Sequence, residues 1–140
     1  MANTPTPHWQ PLTALPLIAS VIDGELADGQ EHYAALLATR DRPHVLDDAT
    51  VERSIKLHTE QQDFLGVFAE QLERWRNEQP TDAQHRELDR LEGQLDRLRA
   101  VLEDILQLAA ELKQGTIERV LAKSDLELGI EALMRMTKGR

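Results

Sequence analysis

Eight apolar residues spaced 3, 4, 3, 4, 3, 4, 3 constrain this chain more than any other feature: Leu88, Leu91, Leu95, Leu98, Leu102, Ile105, Ala109 and Leu112. That spacing is the seam of an α-helix packed lengthwise on another helix. A helix of about 30 residues is about 45 Å long at 1.5 Å per residue, so its partner must be of similar length. The preceding segment supplies one, with an inward stripe of Val51, Ile55, His58, Gln62, Leu65, Phe68 or Ala69, Leu72 and Trp75 or Arg76. Between the two lies Gln79-Pro80-Thr81-Asp82, a short turn with Thr81 or Asp82 as the next helix cap. Short connections between helices imply antiparallel neighbours. The expected fold class is therefore all-α: a helical bundle built on a long antiparallel, coiled-coil-like two-helix hairpin, residues 47–78 and 82–113.

The rest of the chain is read around that hairpin. Residues 1–11 carry Pro5, Pro7 and Pro11 and few large apolar groups, a flexible lead-in, with Trp9 expected to tuck against the body. Residues 12–140 are expected to form a single α-helical domain. Leu15, Ile18, Ile22, Leu26, Tyr33 and Leu37 mark one face of a first helix, about 13–40, with Thr13 as its cap and Pro16 in its first turn. Gly24 and Gly29 lie within one continuous helix on this reading, admitting close approach of a neighbour. Asp41-Arg42-Pro43-His44 ends it, since the residue before a proline is pushed out of helical geometry. Asp47 and Asp48 open the second helix beside the positive end of its dipole.

Extra apolar positions at Phe64, Val67 and Phe68, and at Val101, Leu106 and Leu108, widen the stripe beyond a two-helix seam and call for a further neighbour at the hairpin's base. Past Leu72 and before Leu98 the pattern narrows, which predicts a projecting tip. Six bases and seven acids between positions 73 and 99 balance its charge. Gly115 is expected as a C′ glycine ending the third helix. Thr116 then caps a short helix, about 116–122, and Ser124-Asp-Leu-Glu127 matches a capping box for another, about 125–136. Their apolar residues are too many for a free tail, and are expected to pack at the base or on a second copy.

Composition narrows the function classes. Leu, Ile, Val and Phe make up 36 of 140 residues, above the roughly 20% needed for a packed core. The absence of cysteine excludes disulfides, thiol catalysis and cysteine-ligated metals. The apolar stretch near the start, residues 13–22, contains Pro16 and falls short of the roughly 20 residues a membrane span requires. No basic leader precedes it, so a cytoplasmic location is expected. A net charge of −9, with eleven acids and four bases in residues 1–70, opposes both nucleic acid and anionic lipid as partners.

Candidates for chemistry are few. No histidine has a glutamate three residues before it, the Glu-x-x-His spacing of two-metal bundles; Asp41 before His44 and Asp82 before His85 stand at loop or cap positions, and none of Ser20, Ser54 and Ser124 lies in Gly-x-Ser-x-Gly. Glu25 and Asp28 on the first helix, and Glu60 and Asp63 on the second, each place two acids one turn apart. Facing each other, these four could hold Mg²⁺ and position a nucleotide diphosphate for attack by water, with Arg53 or Lys56 on the phosphate. The spacing resembles that of the all-α nucleoside triphosphate pyrophosphohydrolases, which use Glu-x-x-Glu and Glu-x-x-Asp on adjacent helices. Here the first pair ends in Asp, and the doubled glutamate that opens the family pattern is missing.

His58 and Gln62 fall in the seam itself. They are expected to form a buried polar layer, paired with each other or with Tyr33, that fixes register. The leading expectation is a non-enzymatic interaction or scaffold protein without cofactor, acting through a protein partner or a second copy. Trp75, Leu126 and Leu133 are its candidate contact residues. Metal-assisted phosphohydrolysis by Glu25, Asp28, Glu60 and Asp63, with Mg²⁺, is the alternative.

Overall fold

The computed structural model describes residues 8–138 and is all-helical, a helical bundle with no strand among those residues. Four helices follow in order: α1 (Leu15–Leu37), α2 (Asp48–Arg76), α3 (Asp82–Lys113) and α4 (Ile117–Lys138), with 3-10 turns at Leu12–Ala14 and Pro43–Val45. The second and third begin as their capping residues dictate. Asp47 accepts a hydrogen bond from the Thr50 N–H at 2.7 Å, and Thr81 and Gln84 exchange the two bonds of a capping box at 3.1 and 2.9 Å. Thr13 caps nothing; α1 starts from Ala14 without a side-chain cap, with Pro16 in its first turn, where no N–H is needed.

All eight heptad residues of α3 are buried, six of them with no exposure at all. They occupy the centre because α1 and α2 both pack on α3. Arg76, near the end of α2, meets Asp89 and Glu92 near the start of α3 at 2.8 and 2.6 Å, and Glu52 meets Lys113 at 3.4 Å at the other end. α1 is fastened along the same helix: Arg90 grips both oxygens of Asp23 at 2.9 Å, and Arg40 reaches Glu111. Gly29 lets the backbones of α1 and α3 approach, since a methyl there would lie 3.2 Å from Val101 Cγ1.

Three expectations are corrected by this packing. The narrow seam does not project as a bare tip. α1 runs over it, Trp75 and Leu88 are fully buried, and residues 8–11 close the end. The Gln10 carbonyl accepts from the Trp75 indole at 2.9 Å, Gln71 binds the Gln10 N–H at 2.7 Å, and the Arg74 guanidinium sits 4.2 Å over the Trp9 ring. The last four residues of the expected lead-in are thus held; residues 1–7 lie outside the described part.

The two short C-terminal helices are one continuous α4, with Ser124 inside it rather than at a cap. It does not pack at the base: its side chains are exposed from Ile117 to Thr137, and only its start is anchored. The Ile117 N–H bonds the Leu46 carbonyl at 2.9 Å, and the fully buried Thr116 hydroxyl donates to Asp48 at 2.6 Å.

Gly115 stands at C′, one residue past the Gln114 C-cap, as expected, but without a left-handed conformation, for no described glycine has positive φ; it serves this anchor instead. A methyl at Gly115 would stand 2.5 Å from Pro43 Cγ. Gly115→Ala must therefore push the Pro43 turn away, at a cost of about 1–3 kcal/mol. The expected result is a lowered Tm with faster hydrogen exchange at Ile117; an unchanged exchange rate there would mean that Pro43 yields freely.

Candidate functional site

α1 and α2 both lean on α3 and leave a groove between them on the opposite face. Toward the loop end it opens into an apolar hollow of about 480 Å³, lined by His32, Leu36, Leu46, Val51, Ser54 and Leu57 among others. Toward the other end a second hollow, about 310 Å³, is lined by Leu17, Ile18, Val21, Phe64 and Phe68. Leu17, Leu57 and Phe64 are more than half exposed along its edges.

Where the two helices touch, the groove floor is polar. His58 is buried, as its place in the seam predicts, but neither Gln62 nor Tyr33 satisfies it. Its Nδ1–H donates to the Ser54 carbonyl one turn earlier at 2.6 Å, with Ser54 Oγ at 3.3 Å. Across the groove His32 Nε2 lies 3.1 Å from the same Oγ, and the two imidazoles meet at a tilt of 38° with centroids 4.6 Å apart. The polar layer is thus His32, Ser54 and His58. Gln62 is half-buried on α2, and Tyr33 turns to the opposite side of α1, beside Asp104 and Leu108.

Sequence periodicity missed Ser54 because the buried stripe of α2 follows the one expected except at this turn, where Ser54 takes the place of Ile55. It runs through Val51, Ser54, His58, Leu65, Phe68, Leu72 and Trp75, leaving Ile55 and Gln62 half-buried. A short polar residue has no hydrophobic signal to place it. The remaining clue was spacing alone, since Ser54 stands four residues before His58 and so faces it on a helix.

The chemistry open to this cluster is limited. His32 could accept the Ser54 hydroxyl proton, as in a nucleophile–base pair. Ser54 is mid-helix, however, where surrounding backbone N–H groups are committed to helical hydrogen bonds. None is left to stabilise an oxyanion. Burial and the neighbouring His58 push the His32 imidazole below its ordinary 6.5.

The four carboxylates do not converge on a metal. Glu25 is half-buried on the α1 wall of the groove, Asp28 is exposed beside it, and Glu60 and Asp63 are exposed on α2. Among the described residues no three His, Asp or Glu side chains are placed to share an ion. Burial, reinforced by the charge of Asp28, raises the Glu25 carboxyl above its ordinary 4.5.

These two shifts have opposite signs in stability. The depressed His32 value contributes stability that is present above pH 6.5 and lost as pH falls through the folded-state value. The raised Glu25 value contributes stability that is full below pH 4.5 and lost as pH rises through its folded-state value. Glu25→Gln is therefore expected to raise the Tm at pH 7 and to leave it unchanged near pH 4. A lower Tm at pH 7 would instead assign Glu25 a stabilising partner.

Of the expected contact residues, Trp75 is withdrawn from the surface altogether, with zero exposure. Leu126 and Leu133 on α4 are each 66% exposed. They belong to a run of nine large apolar side chains, Ile117, Val120, Leu121, Leu126, Leu128, Ile130, Leu133, Met134 and Met136, all open to solvent. No described helix is long and apolar enough to cross a membrane. Compared with protein-family models, curated proteins and solved structures, the chain matches none of them.

Proposed function

We propose that this chain is a non-enzymatic assembly module, in which a helical bundle presents α4 as the joining element to a second copy or a protein partner. On this reading α2 and α3 form an antiparallel, coiled-coil-like hairpin, supported by the ion pairs that match opposite ends of the two helices. The observation that carries the proposal is the nine-residue apolar run exposed on α4. Monomeric soluble proteins rarely expose contiguous apolar patches of more than a few hundred Å², and larger ones mark interaction surfaces. A helix apolar on most of its circumference gains stability only when covered. The Mg²⁺-dependent phosphohydrolase alternative has less to rest on, because the acid pairs of α1 and α2 stand apart.

The test is Leu126→Glu combined with Leu133→Glu, read by light scattering after size exclusion. Both side chains are exposed, so the bundle should fold unchanged by circular dichroism. The expected result is a wild-type mass at least twice that of the chain and a variant mass equal to one chain. A wild-type protein that is monomeric at about 100 μM, some two orders of magnitude above a micromolar Kd, sinks self-association.

A further inference from the structure

The groove between α1 and α2 and the bare α4 are the two surfaces this fold leaves uncovered, and they fit each other. We propose that α4 of a second copy of this chain lies in the α1–α2 groove, as the fourth helix of the bundle. This inference rests on the assembly reading above and names the surface that receives α4.

Length is the first support. α4 has 22 residues and α1 has 23, so both are about 33–35 Å long at 1.5 Å per residue. Shape is the second. Ala122, Leu126, Gly129 and Leu133 follow one another at spacings of 4, 3 and 4, a face on which two large side chains alternate with two small ones. Such a face seats both leucines in the loop-end hollow while the small residues let the backbones approach. The groove offers two apolar hollows in line, separated by the polar floor.

Charge is the third. Glu25 and Asp28, midway along the groove, make no ion pair among the described residues. Lys123 of α4 makes none either. Laying Lys123 over the acid pair, with α4 running toward the loop end, brings Leu126 level with Leu57.

A second copy is favoured over a return of the chain's own α4. Only residues 114–116 separate α3 from α4, a reach of about 10 Å. The bonds from Ile117 to Leu46 and from Thr116 to Asp48 fix that junction on the loop side. Seating a helix from another copy leaves every one of these bonds intact. The exchange is reciprocal under two-fold symmetry, so each dimer gains two helix-in-groove contacts toward the roughly 1,200–2,000 Å² that stable interfaces bury.

The experiment compares dimer dissociation constants of the full chain by sedimentation for wild type, for Leu57→Glu with Phe64→Glu in the groove, and for Leu126→Glu with Leu133→Glu on α4. All four positions are at least half exposed, so each variant should keep the wild-type circular dichroism. The expected result is a Kd at least about 10-fold weaker for either variant alone, equivalent to 1.4 kcal/mol. An equimolar mixture of the two should re-form a one-to-one pair, because one chain keeps its α4 and the other its groove. A groove variant that dimerises like wild type, while the α4 variant does not, overturns the groove and leaves α4 pairing with α4. A mixture that stays monomeric also overturns it. A wild type that never dimerises overturns both this inference and the self-association on which it rests.

Discussion

Trp75→Ala is expected to destabilise the bundle by about 3–5 kcal/mol, a large part of the 5–15 kcal/mol that folded domains possess. The indole is fully buried where α2, α3 and residues 8–11 meet. Its removal leaves a cavity among helices already fixed by the capped turn at 77–81, and that region cannot collapse freely. It also removes the shorter of two bonds to the Gln10 carbonyl, which accepts the indole N–H at 2.9 Å and the Gln71 amide at 3.4 Å. Urea unfolding measures the loss, and Trp75→Phe separates its parts. Phenylalanine keeps most of the apolar area and forfeits the hydrogen bond, so about 0.5–1.5 kcal/mol of the effect should remain from that bond. If Trp75→Ala unfolds within 1 kcal/mol of wild type, the residues before α1 do not close this end. The effect should appear in stability whether or not a partner is present, which sets Trp75 apart from Leu126 and Leu133.

The second large effect is expected at Leu98→Ala, at about 2–5 kcal/mol. Leu98 has no exposed surface and lies at the close approach of α1 to α3, its Cδ1 3.8 Å from where a methyl on Gly29 would stand. That contact makes the cost conditional. In a Gly29→Ala background the added methyl occupies part of the space that Leu98→Ala vacates, so the two changes should couple by about 0.5–3 kcal/mol in a double-mutant cycle. Strict additivity would show that α1 and α3 move apart independently of these side chains. By comparison the ion pairs along the same contact, such as Arg90 to Asp23, are solvent-exposed and should each matter by about 1 kcal/mol or less.

The starts of α2 and α3 and the α3 seam were legible because they rest on local chemistry. Asp47 and Thr81 cap α2 and α3 where a short acceptor precedes an apolar run. Leu88 through Leu112 are buried because a 3-4 repeat leaves a helix one apolar line, whichever neighbour covers it. Gly115 shows where such reading stops. Its role depends on Pro43, more than seventy positions earlier, and no spacing around residue 115 contains that contact.

The candidate site divides in the same way. Periodicity placed His58 in the seam and put hydrophobic residues along α4, but a stripe identifies a face and not what lies against it. Only tertiary packing sent α1 over the far end of α2 and α3, burying Trp75 and holding Gln10 in a segment that composition alone marks as loose. The same packing put Ser54 in the buried line of α2 in place of Ile55, left Gln62 half-buried, and brought His32 across to meet Ser54. It also left α4 uncovered. A sequence specifies which surfaces must leave water, because hydropathy and helical period are local properties. Which surfaces meet depends on the shapes of three helices at once, and here that shape closes on α3 while leaving the α1–α2 side open.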